Sequence, residues 1–335
     1  MKTGIAIIFT IAICIQSFAQ TFTPLADNLS SSFRGIATAG KNSVWVSGTQ
    51  GTVGYSPDGG MNWHWVNPKG YETLDFRDIE VFSEKEVLVM SAGTPTVILR
   101  TTNAGKNWKE VLRDERKEIF LDAITFEGKL GYALGDPIDG LFQLFRTRNK
   151  GKSWENVSHY MMLLADKEEV AFAASGSSIQ IVKGVLYVGT GGSYSSMFVY
   201  NPKKLRVDKY DVPIWSEGGA AGIFAIDFWN SNIGIVVGGN YEDAMNNQNN
   251  VLLTNDGGKN WFKPQSPVSG YRSDVLYIDR NTLLTTGTTG TDLSVDGGQN
   301  WKNISSLSFN ALAKSKDGKT IYLTGTRGNV YKLVL

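Results

Sequence analysis

One turn pattern, S/T-x-D/N-x-G-x-x-W, recurs five times along the chain of 335 residues. It reads SPDGGMNW ending at Trp63, TTNAGKNW at Trp108, TRNKGKSW at Trp154, TNDGGKNW at Trp261 and SVDGGQNW at Trp301. The chemistry is local: Asp58, Asn103, Asn149, Asp256 and Asp296 carry short polar side chains that accept backbone N–H groups and close a turn. The glycine two places on supplies a positive φ, and the tryptophan begins the next strand with a large ring to bury. All ten residues are read as structural. Trp63 and Trp108 lie 45 residues apart, Trp108 and Trp154 46, Trp154 and Trp261 107, and Trp261 and Trp301 40. The long interval holds two periods, so one repeat there lacks the turn. Periods of about 40 to 50 residues built from short strands predict propeller blades.

An aromatic opens each repeat and counts the blades independently: Phe33, Phe76, Phe120, Phe172, Phe224, Tyr271 and Phe309. Alternating runs such as VWVSG, GYALG, VLYVGTGG and IYLTG lie between them, as strands require. The last repeat ends at Leu335 without room for a fourth strand, and TFTPLA from Thr21 can supply it. The expected fold is all-β, a seven-bladed propeller of four-stranded blades over residues 20–335, closed by the N-terminal strand. Met161–Glu169 is the one stretch expected to be helical.

Composition narrows the function. Lys+Arg total 33 and Asp+Glu 32, for a net charge of +1, which argues against a nucleic-acid partner held by a basic surface. One cysteine and two histidines argue against a disulfide framework and a metal site. GTGGS at Gly189 has no helix after it, so no phosphate loop and no cofactor is expected. His64 and His159 have no nucleophile pattern beside them. Lys2, the apolar run Ile5–Ile15 and small residues at Ser17 and Ala19 form a secretory signal peptide over 1–19, cut after Ala19. The run is too short to span a membrane, and no other segment is long enough. The expected mature protein is a periplasmic or extracellular monomer without cysteine.

Loops alternate between the two faces of a propeller. With the repeated turns joining third and fourth strands, the opposite face collects the starts of the innermost strands and the loops between strands two and three. The residue after the opening aromatic is arginine in blades 1, 2 and 6, namely Arg34, Arg77 and Arg272. Asp78, Asp122 and Tyr271 lie close by, and GDPIDG adds Asp136 and Asp139, which suit either a ligand contact or a rigid turn. Such a rim reads as a pocket for a carboxylate, a phosphate or an acidic side chain. The polar insertion Asn240–Asn250 reads as a lid or a partner-binding loop.

The repeated turn is identified as the Asp-box, or BNR repeat, of sialidases and other propeller families. The whole mature chain resembles the photosystem II stability/assembly factor family, through these boxes, the F-R-x-I openings, the blade count and the closing strand. FLDAITF, LGDPIDG, AFAASG and FNAL look like a non-photosynthetic bacterial branch. The resemblance implies a non-enzymatic binding or assembly scaffold with an arginine patch, which Arg34, Arg77 and Arg272 would form, for a protein partner or an acidic ligand. The alternative is a sialidase-like glycoside hydrolase, with an arginine triad and Tyr271 as nucleophile. Its Arg-Ile-Pro signature is absent, since that region reads SFRGIATAG.

Overall fold

The computed structural model describes residues 20–335. The expected signal peptide, with Cys14 and Ala19, lies outside the described residues. Seven antiparallel sheets follow one another along the chain. Blade 1 runs Phe33–Ala39, Ser43–Gly48, Val53–Ser56 and His64–Trp65, hydrogen-bonded in chain order. The first strands of blades 2 to 7 are Asp75–Val81, Leu121–Glu127, Ile179–Val182, Ala221–Phe228, Asp274–Tyr277 and Ala311–Lys314. Each contacts the first strand of the next blade, and that of blade 7 contacts that of blade 1, so the seven encircle an axis. Blade 7 takes its fourth strand from the other end of the sequence: Thr21–Ala26 pairs with Val330–Val334.

Blade 5 departs from the rule. Its outer position is one bridge between Phe262 and Leu253. On the inner side, Ala221–Phe228 carries two extra short strands, Gly191–Gly192 and Glu169–Val170. Gly191 and Gly222 pair so closely that a Cβ on either would strike the other's Cα. That contact needs glycine on both sides. Glu169 is buried and salt-bridged to Lys209 at 2.7 Å, which pins the segment leading into blade 4 beside the axis. The helix falls earlier than Met161–Glu169: it is one turn, Ser158–Met161, ended by Met162 in the left-handed conformation. Beyond it Glu169–Val170 is extended, because pairing with Gly191–Gly192 outweighs local helix propensity.

The five repeated turns share one set of bonds and join third to fourth strands. In the first, Ser56 Oγ donates to Asp58 Oδ1 at 2.9 Å, the Gly60 N–H donates to Ser56 Oγ at 2.8 Å, and the Asn62 N–H donates to Asp58 Oδ1 at 2.9 Å. Asn103, Asn149, Asp256 and Asp296 accept the equivalent bond from Asn107, Ser153, Asn260 and Asn300 at 2.9–3.1 Å. Each turn also leans on the preceding blade. Gly60 lies against Leu25, Gly105 against Val66, Gly151 against Leu88, Gly258 against Met197 and Gly298 against Leu253. The Trp108 indole donates to the Val66 carbonyl at 3.0 Å. The core therefore lies between blades, as in Trp45, Val53, Phe76, Val89 and Leu99 between blades 1 and 2. Blade 4 replaces the turn with a plain hairpin between Ser196–Asn201 and Arg206–Asp211.

Candidate functional site

A β-bulge near the start of the innermost strand sets the geometry of the axis. In blade 1 Phe33 pairs with Gly48 and Gly35 with Ser47, so Arg34 is the extra residue. The same slip singles out Arg77 in blade 2, Asp122 in blade 3 and Phe224 in blade 5. In blades 6 and 7, Ser273 and Asn310 donate to the carbonyls of Thr286 and Thr324, which already face Asp274 and Ala311. A bulged residue leaves the ladder and its side chain is re-aimed. All six line one cavity of about 580 Å³ at the axis. Blade 4 contributes Val170–Ala174, held there by the Glu169–Val170 pairing. No residue of the five repeated turns lines it.

The charged side chains occupy blades 1 to 3. Arg34 is partly buried and, among the described residues, makes no hydrogen bond and no ion pair. Burial, and then the nearby Arg77 charge, lower its guanidinium from the ordinary value; Asp75 and Tyr271 oppose them. Arg77 donates from Nε to Asp75 at 2.7 Å and lies 5.6 Å from the centre of the Phe120 ring. Asp122 is 1 % exposed and neither carboxyl oxygen has a hydrogen-bond partner. Burial pushes its carboxyl well above the usual range; Asp136 adds to the shift and Arg77 opposes it. Asp136 accepts the Ala171 N–H at 3.0 Å, and burial raises it too. Blades 4 to 6 supply aromatic rings. Phe172 and Phe224 stack with centres 3.9 Å apart, and Tyr271 meets Phe224 edge-on at 4.8 Å. Tyr241, from the insertion after blade 5's second strand, stands 6.2 Å from Phe224.

Of the eight residues expected at the rim, Arg34, Arg77, Tyr271, Asp122 and Asp136 line the cavity; Arg272, Asp78 and Asp139 do not. Arg272 is 0 % exposed and salt-bridged to Asp292, with Nε 2.8 Å from Oδ2. It also donates to the Tyr271 carbonyl at 2.7 Å and to Thr289 Oγ1 at 2.6 Å. It stands in the buried place that Phe33 fills in blade 1, one residue ahead of the bulge. Asp78 is a clamp between blades, accepting the N–H groups of Ile79 at 2.7 Å and Ile124 at 2.6 Å. Asp274 repeats this toward Leu312 at 2.7 Å. Asp139 is an exposed turn residue with φ of 53°. Phe120, Phe172, Phe224, Ser273 and Asn310 also line the cavity, beyond the groups that the sequence pattern singles out.

The cavity does not assemble a three-arginine carboxylate clamp. With Arg272 sequestered, the triad that a sialidase-like hydrolase needs does not form. Burial raises the Tyr271 phenol, which works against a nucleophilic role, and among the described residues no glutamate lines the cavity. Among the described residues no group of three or more His, Cys, Asp or Glu could hold a metal ion. No helix among them is long and apolar enough to cross a membrane.

Fold and cavity together define a seven-bladed β-propeller with a polar and aromatic cavity on its axis. More particularly, the chain is similar to BNR propellers of the YCF48 type. Residues 15–117 match the family described as Photosynthesis system II assembly factor YCF48. A solved YCF48 bound to a D1 peptide is similar over 96 % of this chain and 98 % of its own, at 14 % identity and a TM-score of 0.67. YCF48 from Cyanidioschyzon merolae covers 93 % and 98 %, at 17 % and 0.65. U3-55K covers 94 % and 98 %, at 11 % and 0.66. At such identities the likeness is one of fold. No curated protein sequence matches the chain.

Proposed function

We propose that this chain is an exported, monomeric binding or assembly scaffold whose axial cavity receives an acidic group of a protein partner. One observation carries the reading: among the described residues Arg34 stands in the cavity with no ion pair or hydrogen bond, although Arg77 beside it already has Asp75. A partly buried guanidinium without a partner costs stability, and a bound carboxylate would supply two parallel charge-assisted hydrogen bonds. The YCF48 protein solved with a D1 peptide supports a peptide-bearing partner, and the exposed residues Thr288 and Thr326 in the cavity lining leave it reachable from solvent.

Selection from a random peptide display library tests the reading. The parent protein is expected to enrich peptides bearing Asp or Glu, and Arg34→Glu to weaken them at least tenfold. Equal recovery on Arg34→Glu, or no acidic enrichment, would defeat it. Arg272 is left unchanged in this test, since replacing it would confuse lost folding with lost binding. Export has its own measurement. Residues 1–25 fused to a reporter enzyme active only outside the cytoplasm should give activity, and a reporter that stays silent would remove the exported reading. Cleavage after Ala19 would make Gln20 the first residue, directly before the closing strand Thr21–Ala26.

A further inference from the structure

We propose that the cavity recognises a partner segment bearing three groups in sequence: an acidic side chain, an apolar or aromatic one, and a basic one. The inference rests on the scaffold reading and adds the basic group to it. The cavity wall is divided around the axis. Blade 1 presents Arg34, a cation with no partner. Blade 2 presents Arg77, neutralised by Asp75. Blade 3 presents two carboxyls, Asp122 and Asp136, and the opposite arc is the Phe172–Phe224–Tyr271 stack.

The two carboxyls are not explained as counterions of the arginines. Arg77 donates to Asp75 and to the Ala173 carbonyl, and to neither of them. Among the described residues Arg34 makes no hydrogen bond or ion pair with either of them. Asp122 is buried at the cavity wall with both oxygens unpaired, and its strongest charged neighbour is Asp136, of the same sign. Asp136, which also lines the cavity, spends one oxygen on the Ala171 N–H, and among the described residues the other makes no hydrogen bond. Ionised carboxyls on the wall repel an anion, so a site for an anion alone gains nothing from two of them. A ligand ammonium or guanidinium beside Asp136 removes that repulsion and offsets the burial of Asp122 through the low-dielectric wall. Between the poles, an apolar side chain packs on the aromatic arc.

Isothermal titration with capped tripeptides tests this. Acetyl-Asp-Phe-Lys-amide and its reverse, acetyl-Lys-Phe-Asp-amide, cover both chain directions; in each, Asp is exchanged for Asn or Lys for norleucine. One direction is expected to bind, and neutralising either end to weaken it at least tenfold. Asp136→Asn, which keeps an acceptor for Ala171, should abolish the penalty for losing the lysine and keep that for losing the aspartate. Arg34→Gln should do the reverse. The proposal is overturned if the norleucine peptide binds as tightly as its parent, if Asp136→Asn leaves affinity for the charged peptide unchanged, or if neither direction binds. Dependence on Arg34 and the peptide aspartate without dependence on Asp136 would sink the bipolar site and leave the scaffold reading standing.

Discussion

Replacing Arg272 with methionine is expected to remove about 3–5 kcal/mol of folding stability, whereas the same change at Arg34 should shift it by no more than about 0.5 kcal/mol. The two side chains belong to the same residue type and lie near the same axis, so the contrast isolates their surroundings. Arg272 is fully buried, and four groups depend on it: the Asp292 carboxylate, the Tyr271 carbonyl, Thr289 Oγ1 and, through Asp292, the Asn303 amide that donates to it at 3.1 Å. Methionine fills most of the volume but leaves Asp292 as an uncompensated buried charge. Arg34 holds no such partner, and its removal relieves repulsion from Arg77. Denaturant unfolding of the two variants and the parent decides the matter. Equal losses, or a larger loss at Arg34, would show that the bulge geometry does not separate a structural arginine from a ligand-facing one.

That separation is where the sequence stopped being readable. Counting from the opening aromatic places Arg34, Arg77 and Arg272 in register, but the aromatic does not hold one position. Phe33, Phe76 and Phe309 fill the buried place just ahead of the bulge; Phe120 and Tyr271 lie one residue earlier, and Phe224 is itself the bulged residue. A one-residue slip sends a side chain to the other face. Arg272 thus goes into the interior, while Ser273 takes the cavity position. A better ruler was present in a glycine toward the end of the second strand or just after it. Gly48, Gly135, Gly238, Gly287 and Gly325 each face the carbonyl of Ser32, Phe120, Gly222, Tyr271 and Ser308 so closely that a Cβ would crowd it. The residue two places beyond that carbonyl is Arg34, Asp122, Phe224, Ser273 and Asn310, five of the six bulged residues.

The fold was legible because its determinants are local and repeated. A Ser or Thr, an Asp or Asn and a Gly at fixed offsets close the same turn in every blade that has one, whatever surrounds it. The period between tryptophans then fixes the blade size. The cavity's aromatic arc depends instead on a non-local event, the pairing of Glu169–Val170 with Gly191–Gly192, which swings Phe172 onto Phe224. Nothing within AFAASG announces that partner. The same event converted an expected helix into an extended lead-in.

Deleting Thr21–Ala26 is expected to cost several kcal/mol and to make the protein associate with itself. The strand pairs along Val330–Val334 from Thr21 against Val334 to Ala26 against Val330, with one irregularity between Pro24 and Ala26. Its side chains tie two blades together. Phe22 lies flat on Phe309 of blade 7 with ring centres 6.2 Å apart, and Leu25 supports the first repeated turn at Gly60 of blade 1. Each net backbone hydrogen bond is worth about 0.5–1.5 kcal/mol, and burying a Phe or Leu side chain fully about 1.5–3 kcal/mol. Even partial burial therefore makes the strand a large share of a domain stability of roughly 5–15 kcal/mol. Loss of the strand also bares the Val330–Val334 edge, whose unpaired N–H and C=O groups can pair with another molecule. The deletion should lower the denaturant midpoint and yield concentration-dependent oligomers by light scattering. Phe22→Ala with Leu25→Ala, which keeps the backbone pairing, should lower the midpoint but stay monomeric. Adding a synthetic peptide of residues 20–27 to the truncated protein should restore both properties, because the ring has a vacant place of that shape. A truncated protein that unfolds at the parent's midpoint would mean the ring closes without its N-terminal strand.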